Sequence, residues 1–277
     1  MRLCPAGGSP APRTPASARP GGARVPARDD GAASAHARAA AARTRAWALR
    51  TARGWRAELA FFVLAYVVYN AARWLFVGDL GQARDHARWI VDLERSAGVA
   101  VEGSVQRALD SGAVMWVLSN VYLLAQLVVV PAALLWLYRR SRPLYRGLRN
   151  TVLATWLLAV PVFAIFPVAP PRLAGLGIVD SVSEQAAVAL TGRSTVFYNP
   201  LAAVPSLHVG FAAAVAIAAS MAVRPRWAKA LALLWGPLVA LSVVATGNHY
   251  VFDIAAGLAV TSAGFAAGRM RMPAWTA

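Results

Sequence analysis

Residues 205–223 read PSLHVGFAAAVAIAASMAV, residues 224–226 RPR, residues 227–245 WAKALALLWGPLVALSVVA, and residues 246–253 TGNHYVFD. Two apolar runs, each of about 18 residues and so about 27 Å as helix, flank a short basic turn. That length matches a bilayer hydrocarbon core of roughly 30 Å. The pattern predicts a helical hairpin, with one arm from Pro205 or Ser206 to near Val223 and the other over Ala228–Ala245. A hairpin returns the chain to the face it left. His208 and His249 lie 41 positions apart in sequence, yet they are expected at one membrane face. Ionisable groups beside such runs are costly, so the default reading is a working site.

Working outward, the same reading gives an all-α, polytopic membrane bundle of about six transmembrane helices plus short interfacial helices. A first span is expected near Glu58–Val77, a second over Ala113–Leu137 and a third over Thr151–Phe166. Pro161 should kink the third, and the Pro-rich run 166–172 should stop it. The sixth span is expected from about His249 to Ala267. Residues 79–110 mix charge with apolar residues at helical spacing, which suits amphipathic helices on the surface. On that reading Glu94 and Glu102 face solvent or headgroups. A long loop to Val204 should hold one short helix near Ser183–Leu190, and Tyr198 and Asn199 read as turn residues. No internal repeat is evident.

The chain has 277 residues, 58% of them hydrophobic and 14% charged, with a net charge of +16. This is not the composition of an ordinary soluble domain. Residues 1–56 hold eleven Arg against Asp29 and Asp30. This Ala/Pro/Arg-rich tail is expected to be disordered, followed by a membrane domain over 57–268 and a short basic tail over 269–277. An organelle transit peptide or the Ala/Arg bias of a GC-rich genome would explain the tail equally well. Arg interleaved with aromatics, as nucleic-acid stacking requires, is missing, so no nucleic-acid partner is expected. Cys4 is the single cysteine, which excludes intrachain disulfides and cysteine metal clusters. Basic residues concentrate in the tail, the 138–149 loop, the 224–229 turn and the C-terminus. By the positive-inside rule these sides and both termini are cytoplasmic, which leaves His208, His249 and Arg172 at the outer face. Arg142, Arg146 and Arg149 then lie some 30 Å away as inner-face anchors. A bacterial plasma membrane is the expected location; the oligomeric state is not legible.

The residue types suit phosphoryl transfer. That reaction needs a nucleophile, an acid for the leaving group, and fixed positive charge or N–H donors around the phosphoryl oxygens. Asp253, four residues after His249, could hold one ring N–H and leave the other nitrogen free to attack. His208 could protonate the leaving oxygen. Ser206 has N-cap chemistry, so N–H groups at Ser206, Leu207 and His208 would face an anion at a helix start. Arg172 would add a planar fork for phosphate, and Arg193 is a further headgroup candidate. Two competing readings use the same residues: a metal site built from two His and one carboxylate, and a transporter or proton relay.

Three segments carry a resemblance: Phe166-Pro-Val-Ala-Pro-Pro-Arg172, Asn199-Pro-Leu-Ala-Ala-Val-Pro-Ser-Leu-His208 and Gly247-Asn-His-Tyr-Val-Phe-Asp253. In this order they resemble the type-2 phosphatidic acid phosphatase superfamily, and more closely its inositol phosphorylceramide synthase-like branch. The resemblance covers roughly residues 60–268. It implies a six-helix enzyme acting on a lipid phosphate in the bilayer, with no metal and no other cofactor, through a phosphohistidine intermediate. By motif, His249 would be the nucleophile, Asp253 its orienting partner, His208 the acid/base and Arg172 a phosphate ligand. The chain departs from the superfamily pattern at Ile165 and Val243, where basic residues are usual, and at Leu207 in place of glycine. Fewer cations favour a singly charged phosphodiester, and hence headgroup transfer to or from inositol or a lipid alcohol, over phosphomonoester hydrolysis.

Overall fold

A computed structural model of the chain describes residues 79–185 and 200–268, with scattered positions between 54 and 68. The chain divides into residues 1–63 and residues 64–277, and the architecture below is that of the second unit. The expected first span, Glu58–Val77, lies for its greater part outside the described residues. So do nearly all of the N-terminal tail, the C-terminal tail 269–277, Arg193, Tyr198 and Asn199.

The described residues form helices in the order α1 (Leu80–Ser96), α2 (Glu102–Ala108), α3 (Gly112–Leu124), a π-turn (Ala125–Val129), α4 (Val130–Arg140) and α5 (Arg142–Ile165). A 3₁₀ turn (Pro171–Leu173) and α6 (Ser181–Gln185) follow, then α7 (Leu207–Ala222), α8 (Arg226–Ala245) and α9 (Val251–Gly268). Among them, four stretches are long and apolar enough to cross a membrane: Gly112–Arg140, Arg142–Ile165, Arg226–Ala245 and Val251–Gly268. Leu207–Ala222 is also apolar but shorter. Outward-facing side chains include Leu157, Ile165, Leu231 and Leu234, all exposed. An apolar rim of this kind belongs in lipid, and the protein is an all-α integral membrane bundle.

The second span continues through its π-turn, which lies just before Pro131. Proline has no N–H, so the carbonyl of Leu127 loses its usual partner and the ladder is offset there. The third span begins nine residues earlier than expected. The Arg-rich stretch from 142 is the first two turns of α5 and not a loop, because Pro143 occupies the first turn, where a missing N–H costs nothing. Arg142 stacks on Tyr138, its guanidinium carbon 3.3 Å from the ring centroid. It sits at the far end of α5 from Ile165, about 35 Å along the helix.

Small residues let the spans close on one another. On α9, Gly264 meets Thr155 of α5, and Gly257 meets the backbone of Ser206 just before α7. Gly210 of α7 faces Thr261 and the Gly257 carbonyl. The interfacial layer departs from expectation. The apolar stripe of α1 (Ala83, Ala87, Ile90, Val91) does not lie on lipid. It is buried against the loops around Val168–Ala169 and Leu201–Val204 and against Tyr250. Those two loops are joined by a parallel bridge, with Val168 N–H donating to Leu201 O at 2.8 Å. Glu94 lies on the same stripe, and neither it nor Glu102 faces solvent, at 2% and 5% exposure.

Candidate active site

The α8–α9 connection puts His249 where it is. The end of α8 closes with Gly247 N–H on Val244 O and Asn248 N–H on Val243 O, each 3.0 Å, around Gly247 at φ +70°. This is a left-handed helix cap, which glycine adopts without strain. His249 therefore precedes α9 by two residues and is not on the helix, contrary to the expected start of the sixth span. Its partnership with Asp253 survives through a different geometry. Asp253 stands in the first turn of α9, accepts the Tyr250 N–H at 2.9 Å, and offers the same oxygen to His249 Nδ1 at 3.1 Å.

His249 is 5% exposed and Asp253 fully buried. Nδ1 also lies 2.9 Å from Ala203 O. A carbonyl and a carboxylate both accept, so Nδ1 carries the proton and donates to the pair. Nε2 is left as the unprotonated nitrogen. The His208 ring, on the first turn of α7, is 5.8 Å from the His249 ring, centroid to centroid, and stacks on Tyr122 at 4.2 Å. Ser206 caps α7, its hydroxyl accepting the Val209 N–H at 3.4 Å, and its own N–H donates to Asp253 O at 3.0 Å. Leu207 is the first residue of α7. The starts of α7 and α9 thus meet at the two imidazoles.

Arg172 comes from the turn after the Pro-rich run. Its backbone N–H donates to Gly247 O at 3.0 Å. Its side chain donates from Nε to Asn248 Oδ1 at 2.9 Å and from Nη1 to Asp180 Oδ2 at 3.3 Å. The guanidinium is nearly buried, at 8% exposure, beside the residue preceding His249. Tyr250, fully buried, ties the same two loops together by donating its hydroxyl to Ala169 O at 3.0 Å. Burial first, and then the carboxylates of Asp253, Glu102 and Glu94, push its phenol upward, so it remains a donor. No group of three His, Cys, Asp or Glu side chains among the described residues is disposed to hold a metal ion.

The residues that the motifs single out, apart from Arg193, come together here: His208, His249, Asp253, Ser206, Leu207 and Arg172. Sequence reasoning missed Asn248, Asp180, the Ala203 carbonyl, Glu94 and Glu102. Of these, only Glu94 left a signal. Glu94 continues the spacing of Ala83, Ala87, Ile90 and Val91 along one face of α1, and a carboxylate on an apolar face calls for a buried partner.

No curated protein and no solved structure matches the chain. A family model does, that of the PAP2 superfamily, over residues 88–267. This interval contains the six convergent residues. The chain belongs to the PAP2 superfamily, a family of phosphatase-type enzymes.

Proposed function

We propose that the protein is a metal-independent lipid phosphoesterase or phosphotransferase that works through a phosphohistidine at the extracytoplasmic face of the membrane. The observation that carries this reading is the His249 ring. Its Nδ1–H is held by Asp253 and Ala203 O, Nε2 is free, and a second imidazole stands 5.8 Å away. In the first step Nε2 of His249 attacks phosphorus, and a P–N bond forms as the P–O bond to the leaving alcohol breaks. His208 gives that oxygen a proton. Asp253 stabilises the imidazolium that develops. In the second step water or an alcohol attacks phosphorus, His208 takes its proton, and the P–N bond breaks. The Ser206 N–H is taken by Asp253 O, so Arg172 and the N–H groups of Leu207 and His208 at the start of α7 neutralise the phosphoryl oxygens.

Transfer is favoured over hydrolysis of a phosphomonoester. Asp180 already takes part of the Arg172 charge, and Ile165 and Val243 stand where the superfamily usually has cations. A phosphodiester carries one negative charge and needs less neutralisation than a dianion. This agrees with the likeness to the inositol phosphorylceramide synthase-like branch, with inositol or a lipid alcohol as acceptor or leaving group.

The test is turnover of a panel of phosphomonoester and phosphodiester lipids by purified protein in detergent, with and without inositol and with a chelator present. Headgroup exchange that persists in chelator and vanishes in His249→Ala supports the proposal. Full turnover by His249→Ala rejects it, and activity that disappears with chelator and returns with a divalent ion rejects metal independence.

A further inference from the structure

A helix start leaves N–H groups without intrahelical partners, and one short polar side chain or water usually satisfies them. The start of α9 is held differently. Tyr250 N–H donates to Asp253 Oδ2 at 2.9 Å, Val251 N–H to Glu102 Oε1 at 3.1 Å, and Phe252 N–H to Glu94 Oε1 at 2.7 Å. Three consecutive amides each take a carboxyl group, and each carboxyl comes from a different helix: α9, α2 and α1. All three are buried, at 0%, 5% and 2% exposure respectively.

Two of these groups are brought from 149 and 158 positions away. Burying carboxyls side by side is expensive. Glu94 registers that cost: burial pushes its carboxyl up to about 8, and Glu102 and Asp253 add to the rise while the Phe252 N–H opposes it. The shift favours the protonated form of Glu94, and its second oxygen has no hydrogen-bond partner among the described residues. Asp253 serves only the Tyr250 N–H, and the first two amides of the helix take carboxyls from two other helices where water or a short local side chain would suffice. What distinguishes the arrangement is its place. The clamped amides begin at the residue after His249, whose ring hangs from the same segment.

We infer that Glu94 and Glu102 are positioning residues for His249, clamping the first turn of α9 to the interfacial helices so that the imidazole holds its place against His208. The inference rests on the reading of His249 as the nucleophile. The clamp acts on ring placement and not on substrate, so its loss should fall on kcat. A misplacement of about 1 Å can cost about 100-fold in rate.

The experiment uses the full chain in detergent, carrying Glu94→Ala, Glu102→Ala, Glu94→Gln or Glu102→Gln, beside wild type and His249→Ala. Two quantities are read: kcat and KM on a lipid phosphate that the wild type turns over, and deuterium uptake by the amides of residues 250–252. The alanine chains should lose about 10- to 100-fold in kcat, keep KM, and exchange Val251 and Phe252 faster. Glutamine keeps an oxygen that accepts the amide, so the Gln chains should recover most of kcat and the slow exchange. Folded alanine chains with wild-type kcat and exchange overturn the inference, as do Gln chains as slow as the alanine ones. If the alanine chains do not fold, the wild type decides: slow exchange at Val251 and Phe252 with active Gln chains supports the clamp, and fast exchange overturns it. Unimpaired Glu102→Ala beside a dead His249→Ala removes this inference alone, whereas an active His249→Ala removes the reading beneath it.

Discussion

At His249 one ring nitrogen meets two acceptors and the other meets none of them, so the chemistry assigned to this residue depends on Asp253 staying an acceptor. Asp253→Asn can turn an amide N–H toward Nδ1 and favour the other tautomer. Its kcat should fall by on the order of 10²- to 10⁴-fold with little change in KM, read from single-turnover kinetics. An unchanged rate would mean that the pair does not orient the ring. Arg172→Lys keeps the charge but loses the fork that reaches Asn248 and Asp180 together. KM for the lipid phosphate should rise about tenfold or more; an unaltered KM would remove Arg172 from the substrate's surroundings. At this scale, sequence reading found the residues whose meaning is local. His249 and Asp253 are four apart, and Ser206 immediately precedes a helix. It could not find Asn248 or Asp180, whose roles exist only because Arg172 folds back onto Gly247, nor the Ala203 carbonyl, because every residue has one.

Among the elements, α9 depends on close approach. A Cβ at Gly257 would collide with the Ser206 carbonyl, which is backbone and cannot rotate away. Gly257→Ala should therefore destabilise the protein by about 1–3 kcal/mol, seen as a lower midpoint of thermal unfolding in detergent. It should also lower kcat by separating the starts of α7 and α9. A stable, fully active variant would contradict this packing. Glu94 makes a pH-dependent contribution with a definite sign. Its carboxyl goes from an ordinary 4.5 to about 8 in the fold, mainly through burial, with Glu102 of α2 and Asp253 of α9 facing it. Between those values the folded chain holds a proton that the unfolded chain has released. This part of the stability is complete below about 4.5 and is lost as pH rises through about 8. Glu94→Gln removes the dependence, so the variant's melting point should gain on the wild type as pH goes up through that window. Parallel curves would contradict it. The elements themselves were legible where apolar length decided the matter, as in α7 and α8. They were misjudged where polar sequence is helical for tertiary reasons: α1 reads as lipid-facing until the 166–169 and 201–204 loops are seen beneath it, and α5 begins in arginines that look like a connector.

Across the whole molecule, the hairpin of α7 and α8 joins residues 41 positions apart, and this was the most legible part of the architecture because span length and the basic Arg224-Pro225-Arg226 turn fix its parity. The same parity sets the sides proposed for the two ends of the bundle. In a Cys4→Ser background, Val179→Cys near Arg172 and Arg224→Cys at the hairpin turn should report opposite sides. An impermeant thiol reagent added outside whole cells should label the first and spare the second, and the reverse labelling would invert the topology. The central claim is that the fold makes one nucleophilic site of His249 and its neighbours. It is tested most directly by mixing purified protein with a lipid labelled at phosphorus, quenching in alkali, and mapping the label by mass spectrometry. The expected result is an alkali-stable, acid-labile phosphate on His249 that is absent from His249→Ala and accumulates when the acceptor is withheld. Turnover with no label on His249, continuing in His249→Ala, would contradict the account.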